Sequence, residues 1–201
     1  MKIGFINSKT TSEGPGELFA LWVVGCPFRC KGCCNPQFLD ERSPGEEMSV
    51  QTIYELFKQS GSDGIAFLGG DPMTYKQEVS ELCEKLRKDN KSVVIYTGYY
   101  LSELKEMKCS YVEKILENCD LLIDGRYEES LRTTSIRWVG STNQTMHFLS
   151  NRYSKDDPMF KQKNTIEITL SKDGEVKVNG WPTFGDKNPL DGKIVKIRKS
   201  K

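Results

Sequence analysis

Apolar positions along this chain alternate between two periods, and the alternation predicts its elements. KIGFI (2–6), LFALWVV (18–24), GIAFLGG (64–70), SVVIYTG (92–98) and DLLIDG (120–125) are short apolar runs rich in β-branched and aromatic residues. Each predicts a strand. Between them the spacing stretches to helical periods. Ser49 precedes a helix carrying Ile53, Leu56 and Phe57. Thr74 and Gln77 form a T-x-x-Q capping box ahead of a helix with Tyr75, Val79, Leu82, Cys83 and Leu86 on one face. About two helical turns follow near LSELKEM, and YVEKILENC (111–119) is amphipathic. NPQFLDERSPGEEM reads as loop because Pro36, Pro44 and Gly45 interrupt it.

Strand, helix, strand in repeated order predicts an α/β fold with a mainly parallel sheet, either open or closed into a barrel. In such sheets, sites lie at the carboxyl ends of the strands. The loop GCPFRCKGCC and the segments GGDP, YTGY and IDGR all fall at strand ends of this kind. After residue 150 the pattern changes. NRYSKDDPMFKQKN (151–164) is polar and loop-like, and TIEITL–SKDG–EVKVNG (165–180) alternates with period two about a turn, which predicts a β-hairpin. The tail carries Lys193, Lys196, Arg198, Lys199 and Lys201 and reads as a solvated terminus or a partner contact. The expected division is a core at 1–150 and a C-terminal extension at 151–201, with the hairpin and the basic tail.

Composition narrows the chemistry. The 201 residues are 37% hydrophobic and 10% aromatic, enough for a real core. Lys and Arg total 29 against 28 Asp and Glu, so nothing global points to nucleic acid or a membrane as partner. MKIGFINSKTTSEGPGE has no signal-type apolar core, which predicts a cytoplasmic location and reduced thiols. Seven cysteines, four of them in one decapeptide, favour metal or redox chemistry over a disulfide framework. His147 is the single histidine and carries no expected catalytic role.

The decapeptide contains Cys26, Cys30, Cys33 and Cys34. A structural zinc site takes four ligands, usually as two separated pairs. Here the spacing is C-x3-C-x2-C in one loop, with no second pair, and Cys83, Cys109 and Cys119 stand isolated. Neighbouring side chains tend to diverge, which makes joint ligation of one ion by Cys33 and Cys34 awkward. Three thiolates in one loop suit a [4Fe–4S] cube with its fourth iron open, and a closed zinc site is the alternative. Gly25 and Gly32 let the backbone curl, and Arg29 and Lys31 offset negative charge. Cys83, on an apolar helix face, reads as core.

CPFRCKGC resembles the CxxxCxxC signature of radical S-adenosylmethionine (SAM) enzymes. EGPGELFALWVVGCPFRCKGCCNP is similar to the opening of the activating proteins of anaerobic ribonucleotide reductase and of other glycyl-radical activases. GGDP (69–72) looks like their GGEP, and YTGY, LLIDGRY and GSTNQ follow in matching order. The similarity spans about residues 3–150. It implies a partial (β/α) barrel, here with the hairpin appended. It also implies that Cys26, Cys30 and Cys33 hold a [4Fe–4S] cluster, leaving Cys34 as the odd one out.

On the same resemblance, Gly69, Gly70, Asp71 and Pro72 receive the SAM amino group, and Thr97 lies beside the ribose. Asp124 and Arg126 match a pair beside the active site; a strand-end salt bridge is the other reading. Ser141, Asn143 and Gln144 match a segment that closes over cofactor or substrate; a helix start is the other reading. The implied function is reductive cleavage of SAM to a 5′-deoxyadenosyl radical that installs a glycyl radical on anaerobic ribonucleoside-triphosphate reductase. Flavodoxin or ferredoxin would be the electron donor. The rivals are a radical SAM enzyme acting on a small molecule or peptide, such as a deazapurine synthase relative, and a non-catalytic metal or electron-transfer module. Three departures bear on this: Asp71 is one methylene shorter than glutamate, Glu17 follows GPG where arginine is frequent, and Cys34 stands where histidine or an aromatic is common.

Overall fold

The computed structural model describes residues 1–170, 175–180 and 195–196. In chain order the elements are β1 (Lys2–Thr10), β2 (Leu18–Val23), β3 (Glu46–Glu47), α1 (Val50–Ser60), β4 (Gly64–Gly69), α2 (Lys76–Lys88), β5 (Ser92–Tyr96), α3 (Leu101–Glu106), α4 (Ser110–Asn118), β6 (Leu121–Asp124), β7 (Thr145–Phe148), β8 (Ile166–Leu170), β9 (Glu175–Gly180) and β10 (Val195–Lys196). Seven strands form one mixed sheet in the order β3-β1-β2-β4-β5-β6-β7. At its centre β2, β4, β5 and β6 run parallel, while β1, β3 and β7 join antiparallel. No pairing closes β3 onto β7 among the described residues. A second sheet, β10-β9-β8, contains the strand pair expected at 165–180. The SKDG turn of that pair and all of the basic tail except Lys196 lie outside the described residues.

Every residue of β2 is buried, as a central parallel strand covered on both faces requires. Strand periodicity sends its residues alternately to two different cores. Phe19, Leu21 and Val23 join Ile65, Phe67, Val93, Ile95 and Leu122 on one face, where Ile53 and Phe57 of α1, Leu82 and Leu86 of α2, Leu104 of α3 and Ile115 of α4 cover them. Leu18, Ala20 and Trp22 join Ala66, Leu68, Val94, Leu121 and Ile123 on the other. No residue of the four α-helices enters this second cluster among the described residues; Phe5, Phe38, Tyr153 and Phe160 pack there instead. Phe160 sits on a short 3-10 turn (Pro158–Lys161) inside the stretch expected to be plain loop.

Ser49 caps α1 as expected, its hydroxyl accepting from Thr52 N. The T-x-x-Q box at Thr74 does not form. The Asp71 carboxylate caps a 3-10 turn (Pro72–Tyr75) ahead of α2, Thr74 donates to Gly25 O at 3.2 Å, and Gln77 donates to Glu81. Thr74 is thus drawn to the cysteine loop rather than to its own helix. Strand β7 was not legible, because TMHF is half-exposed and lacks the apolar alternation of its neighbours.

Candidate functional site

The carboxyl ends of the four parallel strands converge on a cavity of about 440 Å³ against the helix-free face. The residues lining it include the thiol-bearing Cys26, Cys30, Cys33 and Cys34 after β2, the Gly69-Gly70-Asp71 turn after β4, and Tyr96, Thr97 and Gly98 at the end of β5. Gly125 and Gln144 complete that rim, and Ser12 and Glu13 reach the cavity from the segment between β1 and β2.

The cysteine loop is held at both ends and in its middle. Gly25 N donates to Phe38 O (2.8 Å) and Cys26 N to Leu39 O (3.0 Å), tying its start to the following turn. Phe28 makes an edge contact with Tyr99 (4.6 Å between centroids) and lies under the Arg126 guanidinium at 4.5 Å. A Cβ on Gly98 would stand 2.4 Å from the Phe28 ring, so glycine in YTGY is what lets the loop seat there.

Backbone N–H groups point at the sulfurs, from Phe28 and Arg29 to Cys26, from Tyr127 to Cys30 and from Asn35 to Cys33. Burial pushes the Cys26 and Cys30 thiols up. Cys33 is drawn down to about 7, chiefly by a hydrogen bond from Cys34. The two adjacent side chains therefore meet rather than diverge, contrary to the simple expectation for neighbours, and both line the cavity. Lys31 does not balance the thiols: it pairs with Glu129 at 3.1 Å on the surface. The cation whose field lowers the Cys30 thiol is Arg126.

The glycine turn is clamped to the cysteine loop. Gly70 N donates to Val23 O (2.7 Å) and Asp71 N to Gly25 O (2.8 Å). A Cβ on Gly70 would lie 2.1 Å from Gly25 O, so the close approach demands glycine. Asp71 is buried, and its carboxylate accepts from Met73 N (2.9 Å), Thr97 Oγ1 (3.0 and 3.1 Å) and Gly98 N (2.8 Å). Burial raises it to about 6 against those donors. Asp71 and Thr97 thus bind each other and lock the ends of β4 and β5 together. The shorter side chain is matched to this bridge.

Beyond β6 the expected residues form the support of the wall. Asp124 accepts from Leu101 N at 2.6 Å, and His147 Nε2 stands 2.9 Å away, out of line for a hydrogen bond. Arg126 makes a two-pronged pair with Glu103 (2.8 and 3.2 Å). Asn143 donates to Arg126 O, Gln144 donates to Gly125 O and accepts from Gly140 N and Ser141 N, and Ser141 Oγ accepts from Glu128 N. No helix starts here: GSTNQ is a clasp leading into β7, so that alternative falls. Arg126 likewise pairs with Glu103, not with Asp124.

Of the residues expected from sequence, Cys26, Cys30, Cys33, Gly69, Gly70, Asp71, Thr97 and Gln144 line the cavity; Pro72, Asp124, Arg126, Ser141 and Asn143 are not among its lining. Sequence reasoning missed Glu13, Tyr96, Trp138, Asn164 and Asn179, which line it as well. Tyr96 belongs to YTGY and Glu13 to EGPG, so a signal existed for those two.

Among the described residues no three His, Cys, Asp or Glu side chains converge closely enough to grip one metal ion. A four-iron cube binds each thiolate on a different iron and does not need that convergence. The loop's inward N–H groups are of the kind that hold and tune such a cluster.

A family model described as "4Fe-4S single cluster domain" matches residues 12–147. The chain belongs to the 4Fe-4S single cluster domain family. Curated relatives are named anaerobic ribonucleoside-triphosphate reductase-activating protein. That of Enterobacteria phage T4 is 33% identical over 141 residues, covering 67% of this chain and 85% of the relative. That of Escherichia coli K12 is 31% identical over 145 residues, covering 68% and 92%. That of Vibrio cholerae is 32% identical over 144 residues, covering 67% and 90%. The 4Fe-4S match includes the cysteine loop, the glycine turn and the strand ends that line the cavity. No helix among the described residues is long and apolar enough to cross a membrane.

Proposed function

We propose that this 4Fe-4S protein is a radical SAM activase that installs a glycyl radical on an anaerobic ribonucleoside-triphosphate reductase. The observation that carries the reading is one cavity holding both the three thiols of CxxxCxxC and the Gly69-Gly70-Asp71 turn clamped beside them. Cys26, Cys30 and Cys33 would hold the cluster. When bound, the cluster and SAM supply a 5′-deoxyadenosyl radical able to take a hydrogen atom from glycine, and the protein's part is binding, orientation and exclusion of water.

The chain's own residues supply those tasks. Gly69 and Gly70 bring backbone close to the start of the cysteine loop, which suits the amino group of SAM. Asp71 fixes that turn through Thr97 and Gly98. Arg126 and the N–H groups of the cysteine loop stabilise thiolate charge. Trp22, Tyr96 and Leu68 present apolar surface that excludes water. Radical hydrogen transfer needs no acid–base pair, which accords with His147 facing Asp124 rather than the cavity. Flavodoxin or ferredoxin would deliver the electron in the cytoplasm. The test is to mix the cluster-loaded protein with its cognate reductase, SAM and a reductant without oxygen. A glycyl doublet by electron paramagnetic resonance is expected, and SAM cleavage with no glycyl signal on any reductase offered would overturn the assignment.

A further inference from the structure

The strand pair β8–β9 lies beyond residue 147, where the family model ends, yet β9 finishes in the cavity wall with Val178, Asn179 and Gly180. Hydrogen bonds attach it. Asn179 Nδ2 donates to Thr10 Oγ1 (2.9 Å) and Ser12 Oγ (3.0 Å), and both hydroxyls also reach Glu167 of β8. Gly180 N donates to Glu13 Oε1 at 3.1 Å. Thr10 and Ser12 are buried beneath the pair, whereas Ile168 and Leu170 of β8 are 66% and 67% exposed. Polar bonds, with Ile168 and Leu170 left in solvent, make an attachment that equivalent bonds from another chain can replace.

What occupies this cradle is a glycine segment. Gly180 has φ +99°, and a Cβ there would lie 2.3 Å from Thr165 O and 3.0 Å from Ser12 Cβ. The free protein therefore holds a glycine, its N–H anchored on Glu13, in the wall of the cavity that the cysteine thiols share. Burial, with Glu167 nearby, pushes Glu13 up to about 8, so at neutral pH its carbonyl oxygen accepts from glycine without a charge to desolvate.

We propose that Asn179–Gly180 is an internal stand-in for the partner's glycine: it fills the Thr10–Ser12–Glu13 cradle in the free protein and is displaced when an extended, glycine-bearing segment of the partner binds there. The identity of that partner rests on the proposed function. The cradle offers two hydroxyls and a carboxyl in sequence, and so fits a segment bearing a side-chain donor followed by a glycine N–H.

Hydrogen exchange read by mass spectrometry, on the cluster-loaded full chain with and without its cognate reductase, tests this. Protection of the Gly180 amide is expected to fall in the complex, while Thr10–Glu13 stay protected. Asn179→Ala removes two bonds from the stand-in and is expected to lower KM for the reductase about tenfold, because a weaker internal competitor raises the competent fraction. Gly180 still protected in the saturated complex would overturn the proposal. So would an unchanged KM in a variant whose Gly180 already exchanges faster. Displacement of Gly180 without a glycyl signal would sink the proposed function and keep the stand-in; a reductase that does not bind would sink both.

Discussion

The two faces of the central sheet are built from the same strands and do opposite work. On one, Phe19, Leu21, Ile65, Phe67 and Ile95 meet four helices in one buried cluster. On the other, Ala20 and Ala66 are small, no residue of the four α-helices joins their cluster among the described residues, and a cavity opens beside Trp22, Leu68 and Tyr96. Strand periodicity makes this division possible, since successive residues of one strand serve a packed core and a binding wall independently. One face is thus built for stability, and the other leaves room for chemistry.

Several substitutions would break or sharpen that contrast. The largest effect is expected at the cavity rim. Cys30→Ser should abolish iron and sulfide content after reconstitution, whereas Cys34→Ser should retain both; equal losses would mean that Cys34 is also a ligand. Next, Phe67→Ala on the helix-covered face should cost about 3–5 kcal/mol in chemical denaturation, the range for deleting a buried aromatic ring. Leu68→Ala, one residue along on the cavity face, should cost less than about 2 kcal/mol, because its side chain already lacks partners on one side. Equal costs would show that the faces are equally packed.

Asp71→Asn keeps the size of the bridge but places an amide against donors from Thr97 and Gly98, and should destabilise by about 1–3 kcal/mol. Asp71 also predicts a pH effect. Its carboxyl is raised from 3.8 to about 6 in the folded protein, so its contribution is fullest below pH 3.8 and declines as pH rises towards 6. The smallest effect concerns Glu13. Raised from 4.5 to about 8, it should weaken docking of β8–β9 progressively as pH rises through that window. The ionisable groups acting on it are Glu167 of β8 and Tyr96 of β5, with Arg137 and Cys34 coupled to Tyr96. Glu13→Gln should flatten the pH dependence of the Gly180 protection factor, taken relative to the intrinsic exchange rate at each pH, and a dependence that persists would assign it to another group.

The order of β1, β2, β4, β5 and β6 and of the helices between them was legible because each apolar run had one period, and Ser49 capped α1 as its residue type suggests. The cysteine loop stood out from its C-x3-C-x2-C spacing, and it does line the cavity. What failed did so where tertiary partners outbid local ones. Thr74 left its helix for Gly25 O, Lys31 went to Glu129, and Arg126 chose Glu103 over Asp124. GSTNQ became a clasp because Gln144 and Asn143 found free carbonyls at Gly125 and Arg126.

The sequence by itself determined the α/β alternation, the crowding of four thiols into one loop and the glycines at the strand ends, since each depends only on residues near one another in the chain. Tertiary structure alone decided which strand ends share a cavity, which polar residues face it and which brace it from behind. It also brought Asn179 and Gly180 across some 167 residues of chain to Ser12 and Glu13. The physical reason is that a hydrogen-bonding side chain takes whichever partner the fold presents, and no local pattern records that choice.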